Sequence, residues 1–165
     1  MSSELEQNST DLLTCFFVKC ENAFRFLEEN HDYRPLSGLV DYRRGRQIIT
    51  PYDGRFMTES FHATARYEIE GRAIEILYSG EDFQIEAFLY VDQTYRLSFP
   101  DIFRAIKEED DPLQNYMWVT RQSQIEQIVQ DVSTALKSNK RYFLGHDRRF
   151  IERALDMRAA RMEHS

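Results

Sequence analysis

Three short stretches of polar and apolar alternation, FHATARYEI (61–69), RAIEILY (72–78) and FQIEAFLYV (83–91), limit what this chain can fold into more than any other feature. A period of two, carried by β-branched and aromatic residues, is the pattern of half-buried strands. The breaks, Glu70-Gly71 and SGED at 79–82, each hold a glycine suited to a turn with positive φ. The three segments are therefore expected to be neighbours in an antiparallel sheet, joined by hairpins.

With Glu70-Gly71 as a two-residue loop, Ile69 faces Arg72, Tyr67 faces Ile74, Ala65 faces Ile76 and Ala63 faces Tyr78. With SGED as a four-residue loop, Tyr78 faces Phe83, Ile76 faces Ile85 and Ile74 faces Ala87. Slipping either pairing by one residue would turn a strand inside out, so the registers are chosen to keep apolar residues together. The core face then carries Ala63, Ala65, Tyr67, Ile74, Ile76, Tyr78, Phe83, Ile85, Ala87, Leu89 and Val91.

On the opposite face the same registers align Arg66, Glu75 and Glu86 across three strands. Two carboxylates directly opposite repel, so this row requires the arginine, water, a cation or a shared proton. It reads either as a solvated ladder or, with His62 and Tyr90, as a candidate acid/base group. No Walker loop, GxGxxG, HExxH, CxxC or GxSxG is present, and the four histidines have no metal spacing. No cofactor and no metal are expected.

The chain has 165 residues, 42% of them hydrophobic and 13% aromatic, which fits one folded domain over 1–165. Its core is expected over about 10–144, with 1–9 flexible and a C-terminal helix over 145–165 that is docked or used in dimerisation. The net charge of −7 is uneven: residues 137–165 hold 8 Lys/Arg against 4 Asp/Glu, whereas 1–136 hold 13 against 24. An acidic body argues against broad nucleic-acid affinity. Cys15 and Cys20, about 140° apart on one helix, are not placed for a disulfide. With no signal-peptide pattern and no apolar run long enough for a bilayer, a cytoplasmic, reduced protein is expected.

Leu12, Leu13, Phe16, Phe17, Cys20, Ala23, Phe24 and Leu27 recur at helical spacing and predict a helix of about twenty residues from Thr10, with Ser9 or Thr10 as its N-cap. Residues 30–38 read as a connection. Leu39–Tyr42 and Gln47–Thr50 form an expected peripheral hairpin with Arg43, Arg44 and Arg46 at its tip. PYDGRFMTES (51–60) reads as a loop that offers Tyr52, Phe56 and Met57 for interaction, or packs on the sheet. A short strand at 95–97 leads to Ser98, which caps a helix with Pro100 in its first turn and Asp101 reaching back. Ile102, Phe103 and Ile106 form that helix's apolar side.

EEDD (108–111) is expected as an exposed loop, and Leu113–Val119 as a strand or a plug at the core edge. Ser123 and Glu126 predict a capping box for a helix over about 124–138, with Ile125, Ile128, Val129, Val132 and Leu136 inward. A last helix from about Asp147 turns Phe150, Ile151, Ala154, Leu155, Arg158 and Met162 inward, with Arg148, Arg149, Arg153 and Arg161 on a basic exterior.

The run from FRFL (24–27) through the strands to YRLSFPDIFRAI (95–106) resembles a loose set of small bacterial α+β domains, some of them predicted immunity proteins of toxin systems. That resemblance implies a bacterial cytosolic protein that binds another protein, and an acidic surface would suit a basic toxin nuclease. The fold class is thus α+β: an antiparallel sheet of about five to six strands with an N-terminal helix, a short middle helix and two C-terminal helices. The preferred function is non-catalytic protein binding, to a second copy or a basic partner, through the polar sheet face, the loop 51–60, or the last helix at Arg149 and Arg153. The alternative is a small-ligand-binding protein or hydrolase using His62, Arg66, Glu75, Glu86 and Tyr90.

Overall fold

The computed structural model describes residues 2–43, 47–48, 56–57, 60–79, 84–107, 122–145 and 147–164. Its elements in chain order are α1 (Ser2–His31), β1 (Arg34–Arg43), β2 (Gln47–Ile48), β3 (Phe56–Met57), β4 (Ser60–Ile69), β5 (Arg72–Ser79), β6 (Gln84–Val91), β7 (Tyr95–Ser98), α2 (Phe99–Lys107), α3 (Gln122–Ser138), α4 (Lys140–Phe143) and α5 (Arg148–Glu163). Five strands form an antiparallel sheet in the order β1-β4-β5-β6-β7, and β2 pairs with β3 separately. The fold is α+β, as the alternation predicts.

The first hairpin has the expected register: Ile69 opposes Arg72, Tyr67 opposes Ile74, Ala65 opposes Ile76 and Ala63 opposes Tyr78. Gly71 has φ +76°, the left-handed conformation that the turn demands. The second hairpin is displaced by two residues from expectation, so that Tyr78 opposes Ile85, Ile76 opposes Ala87 and Ile74 opposes Leu89. A shift of two preserves which side chains face the core, and hydrophobic patterning alone does not distinguish the two pairings. Charge does: the observed register sets Glu75 opposite Phe88 and Glu86 opposite Leu77, which removes the carboxylate pair that the expected one would have created.

The core face is as expected where it is described; Phe83 lies outside the described residues. Ala63, Ala65, Tyr67, Ile74, Ile76, Tyr78, Ile85, Ala87 and Leu89 are buried, and Val91 packs at the margin. Helix α1 lays Leu13, Phe16, Cys20, Phe24 and Leu27 on this face, where Phe16 meets Tyr78 at 5.5 Å and Phe24 meets Tyr67 at 5.7 Å between ring centroids. The Tyr67 hydroxyl donates to the Cys20 carbonyl at 3.2 Å, so the phenol is buried without losing its hydrogen bond. Asp32, with φ +59°, ends the helix as the Tyr33 N–H donates back to the Leu27 carbonyl.

Two N-terminal expectations are corrected. The helix begins at Ser2, so neither Ser9 nor Thr10 caps it. The peripheral hairpin does not form: β1 takes in most of the expected connection and pairs with β4, while Gln47–Ile48 pairs with Phe56–Met57 inside the stretch expected to be loop. Three residues of β1 span two of β4 between Leu36 and Leu39, a bulge that interrupts the period of two and hides the strand in the sequence. Pro35 is tolerated there because β1 is an edge strand.

After β7 the expected capping box is present: the Ser98 N–H donates to Asp101 Oδ2 at 3.2 Å, and the Asp101 N–H donates to Ser98 Oγ at 3.3 Å. Helix α3 begins at Gln122, ahead of the expected cap Ser123, whose side chain lies outside the described residues; Glu126 pairs with Lys19 of α1 at 3.1 Å. Ile125, Ile128, Val129, Val132 and Leu136 are buried as expected, and Ser133 Oγ donates to the Ala23 carbonyl at 2.8 Å. Asp147 caps α5 by accepting from the Phe150 N–H at 3.2 Å.

Helix α5 turns Phe150, Ile151 and Ala154 inward, but Met162, expected inward, is 62% exposed. Arg161 reaches back to Asp101 at 2.6 Å and Arg158 bonds the Arg96 carbonyl, tying α5 to α2 and β7. Asp101 thus serves the α2 cap and the α5 dock together. Asp101→Ala should cost about 2 kcal/mol by removing charge-assisted bonds, and should speed amide exchange in α5 more than in α1; equal exchange changes in both helices would contradict this.

Among the described residues no helix is long and apolar enough to cross a membrane. Neither Cys15 nor Cys20 is in a disulfide. Burial pushes the Cys20 and Tyr67 groups well above their ordinary pKa and Tyr78 up to about 12. In each case the neutral form is favoured in the folded state, so the folded protein binds more protons than the unfolded chain at high pH. Their contribution to stability is intact below the ordinary values of 9.0 for Cys and 10.0 for Tyr, and falls as pH rises above them. Urea midpoints should decline from about pH 9 upward, and Cys20 should resist thiol reagents in the native protein at pH 8; rapid native labelling of Cys20 would refute its burial.

Candidate functional site

On the sheet face opposite the helices, β4, β5 and β6 bring Arg66, Glu75 and Tyr90 together. Arg66 donates through Nη1 to Glu75 Oε2 at 3.0 Å and through Nε to Glu68 Oε1 at 2.7 Å. The Tyr90 hydroxyl donates to Glu75 Oε1 at 3.2 Å, and the Arg66 guanidinium stacks 4.5 Å above the Tyr90 ring. Burial disfavours the Arg66 charge, but the bonds to Glu68 and Glu75 outweigh it and its pKa rises. The cluster is half-buried: the Arg66 side chain is 19% exposed and that of Glu75 13%.

The other candidate acid/base residues are not part of it. Glu86 is exposed and faces Leu77, a consequence of the two-residue shift. His62 lies four residues along β4, ~13 Å from Arg66 at strand rise, between Asp41 and Ser79. Phe88 takes the place expected for Glu86 and lies under the Arg96 guanidinium at 4.4 Å. Both Glu75 oxygens are engaged, one by Arg66 and one by the Tyr90 hydroxyl, which fixes the carboxylate in place. Arg66→Gln should cost about 2 kcal/mol, and a double-mutant cycle with Glu75→Gln should show strong coupling in urea unfolding; additive losses would show that the pair is inert.

Of the expected partner-binding residues, Arg149 and Arg153 are exposed on α5. Arg43 ends β1, and Phe56 and Met57 form β3. Tyr52, Arg44, Arg46, the acidic run 108–111 and the segment 113–119 lie outside the described residues.

Two concavities flank the Glu70-Gly71 turn. One, of about 520 Å³, is lined by Asp32, Arg34, Glu68, Ile69, Glu70 and Gln93 and carries more acid than base. The other, of about 310 Å³, lies between that turn and α5, with Val91, Ile151 and Leu155 as apolar wall and Arg72 in its lining. Arg72 is the residue that sequence reasoning passed over. It is 8% exposed, yet its Nη1 donates only to the Phe143 carbonyl, at 3.3 Å. Burial lowers its pKa, partly offset by Tyr33 and Asp92. The signal was present: Arg72 has the parity of Ile74 and Ile76, which places a cation on the core face.

Among the described residues no group of three His, Cys, Asp or Glu side chains is placed to hold a metal ion. The chain matches no family model, no curated protein and no solved structure.

Proposed function

We propose that this chain is a non-catalytic protein-binding domain that presents the acidic concavity beside the Glu70-Gly71 turn to a basic partner. The reading is carried by one observation: Glu75, the carboxylate a hydrolase would have needed, has both oxygens taken by Arg66 and Tyr90. Asp32, Glu68 and Glu70 gather around the concavity, with Arg34 as the base in its lining. An acidic patch speeds encounter with a basic partner and fixes its orientation. Cysteines outside any disulfide and an acidic body suit a bacterial cytoplasm, and an immunity-like role against a basic toxin is the form of this reading that the sequence resemblance favours.

The test is copurification of the tagged full chain from the organism that encodes it, followed by affinity measurement with the isolated partner. One stoichiometric basic protein is expected, with binding that weakens as salt rises and drops at least about tenfold in Asp32→Asn/Glu70→Lys. Recovery of only this chain, or binding indifferent to salt and to both substitutions, would overturn the proposal.

A further inference from the structure

A buried guanidinium normally lies against a carboxylate, because desolvating an unpaired charge costs several kcal/mol. Among the described residues Arg72 has no ion pair, and one long bond to a carbonyl occupies one of its five donors. The unsatisfied group lines the cleft of about 310 Å³. From this arrangement we propose that the cleft binds a small zwitterionic ligand, an α-amino acid with an apolar side chain, whose carboxylate pairs with Arg72.

Three features select that ligand class. The first turn of α5 places the positive end of a helix dipole beside the cleft, which favours a carboxylate there. Arg148 is itself within 3.5 Å of Glu152, so the charges remaining in the lining are Arg72 against Glu70 and Asp92. A polyanion such as a nucleotide phosphate would be repelled by those acids, whereas an ammonium group beside the bound carboxylate is attracted to them. The apolar wall of Val91, Ile151 and Leu155 receives the side chain. The volume is at the lower end of small-ligand pockets, which suits one amino acid better than a dinucleotide or a peptide.

Calorimetric titration of the full chain with L-leucine tests this, with leucinamide, N-acetyl-L-leucine and inorganic phosphate as comparison probes. Saturable leucine binding with Kd on the order of 0.1–1 mM is expected, at least about tenfold weaker for both blocked forms, which each lack one charge. Asp92 is exposed and has φ +51°, a conformation asparagine also tolerates, so Asp92→Asn should leave the fold intact and weaken leucine about tenfold. Leu155→Arg should abolish binding. No saturable leucine binding, equal binding of leucinamide, phosphate binding in its place, or full affinity in Asp92→Asn would each overturn the proposal. Partner affinity is read separately with Asp32→Asn alone, because Glu70 lines both concavities, and does not depend on this outcome.

Discussion

Phe143→Ala should lower stability by about 3 to 5 kcal/mol and the thermal midpoint by roughly 10 °C. The ring is fully buried and meets Phe99 at 4.4 Å and Phe103 at 5.6 Å, so it is where the four-residue helix α4 plugs onto α2. Truncation removes these contacts and leaves a void that neighbours from two helices cannot collapse into without moving both. Its carbonyl is also the acceptor for Arg72, so a shift of α4 would leave that guanidinium with no protein acceptor. Urea unfolding with an unchanged slope and a midpoint loss of this size is the expected measurement; a loss under about 1 kcal/mol would show that the α4 contact is dispensable.

Gly145→Ala should cost about 2 to 3 kcal/mol, at the upper range for forced overpacking. A Cβ on Gly145 would lie inside van der Waals contact of the Arg141 carbonyl oxygen and 3.2 Å from its carbon, both backbone atoms that cannot rotate away. Gly71 provides the contrast. There a Cβ would meet only Asp92 Oδ1 at an ordinary 3.4 Å, and the penalty comes from φ +76° alone. Gly71→Asn should therefore be nearly neutral, whereas Gly145→Asn should be as harmful as Gly145→Ala. Comparable losses at the two glycines in thermal unfolding would contradict this separation of steric clash from dihedral strain.

Expected and observed structure part company where contacts are distant in sequence. Turn glycine, alternation and the Ser98/Asp101 pair lie within a few residues of what they control, and the first hairpin, the core face and the α2 cap follow from them. Helix α3 starts at Gln122, ahead of the expected cap Ser123, and Glu126 meets Lys19 of another helix, a contact no local pattern announces. Strand β1 was obscured by its bulge, and its pairing with β4 joins residues separated by the whole β2/β3 excursion. The expected row broke for a narrower reason: Arg66 opposite Glu75 needed only the first turn, whereas Glu75 opposite Glu86 needed the second four-residue loop to begin at Ser79 and not one residue later.

The 61–91 alternation by itself determined an antiparallel α+β sheet, the membership of its two faces and the presence of a cation, Arg72, on the buried one. Tertiary structure alone decided that Phe88 and not Glu86 meets Glu75, that β1 closes the edge of β4, and that Arg72 reaches the Phe143 carbonyl and a cleft beneath α5. The reason is periodicity. A repeat of two specifies which way a side chain points but is unchanged by a slip of two, so register and partner are set by loop closure, charge and helix docking, which no single strand encodes.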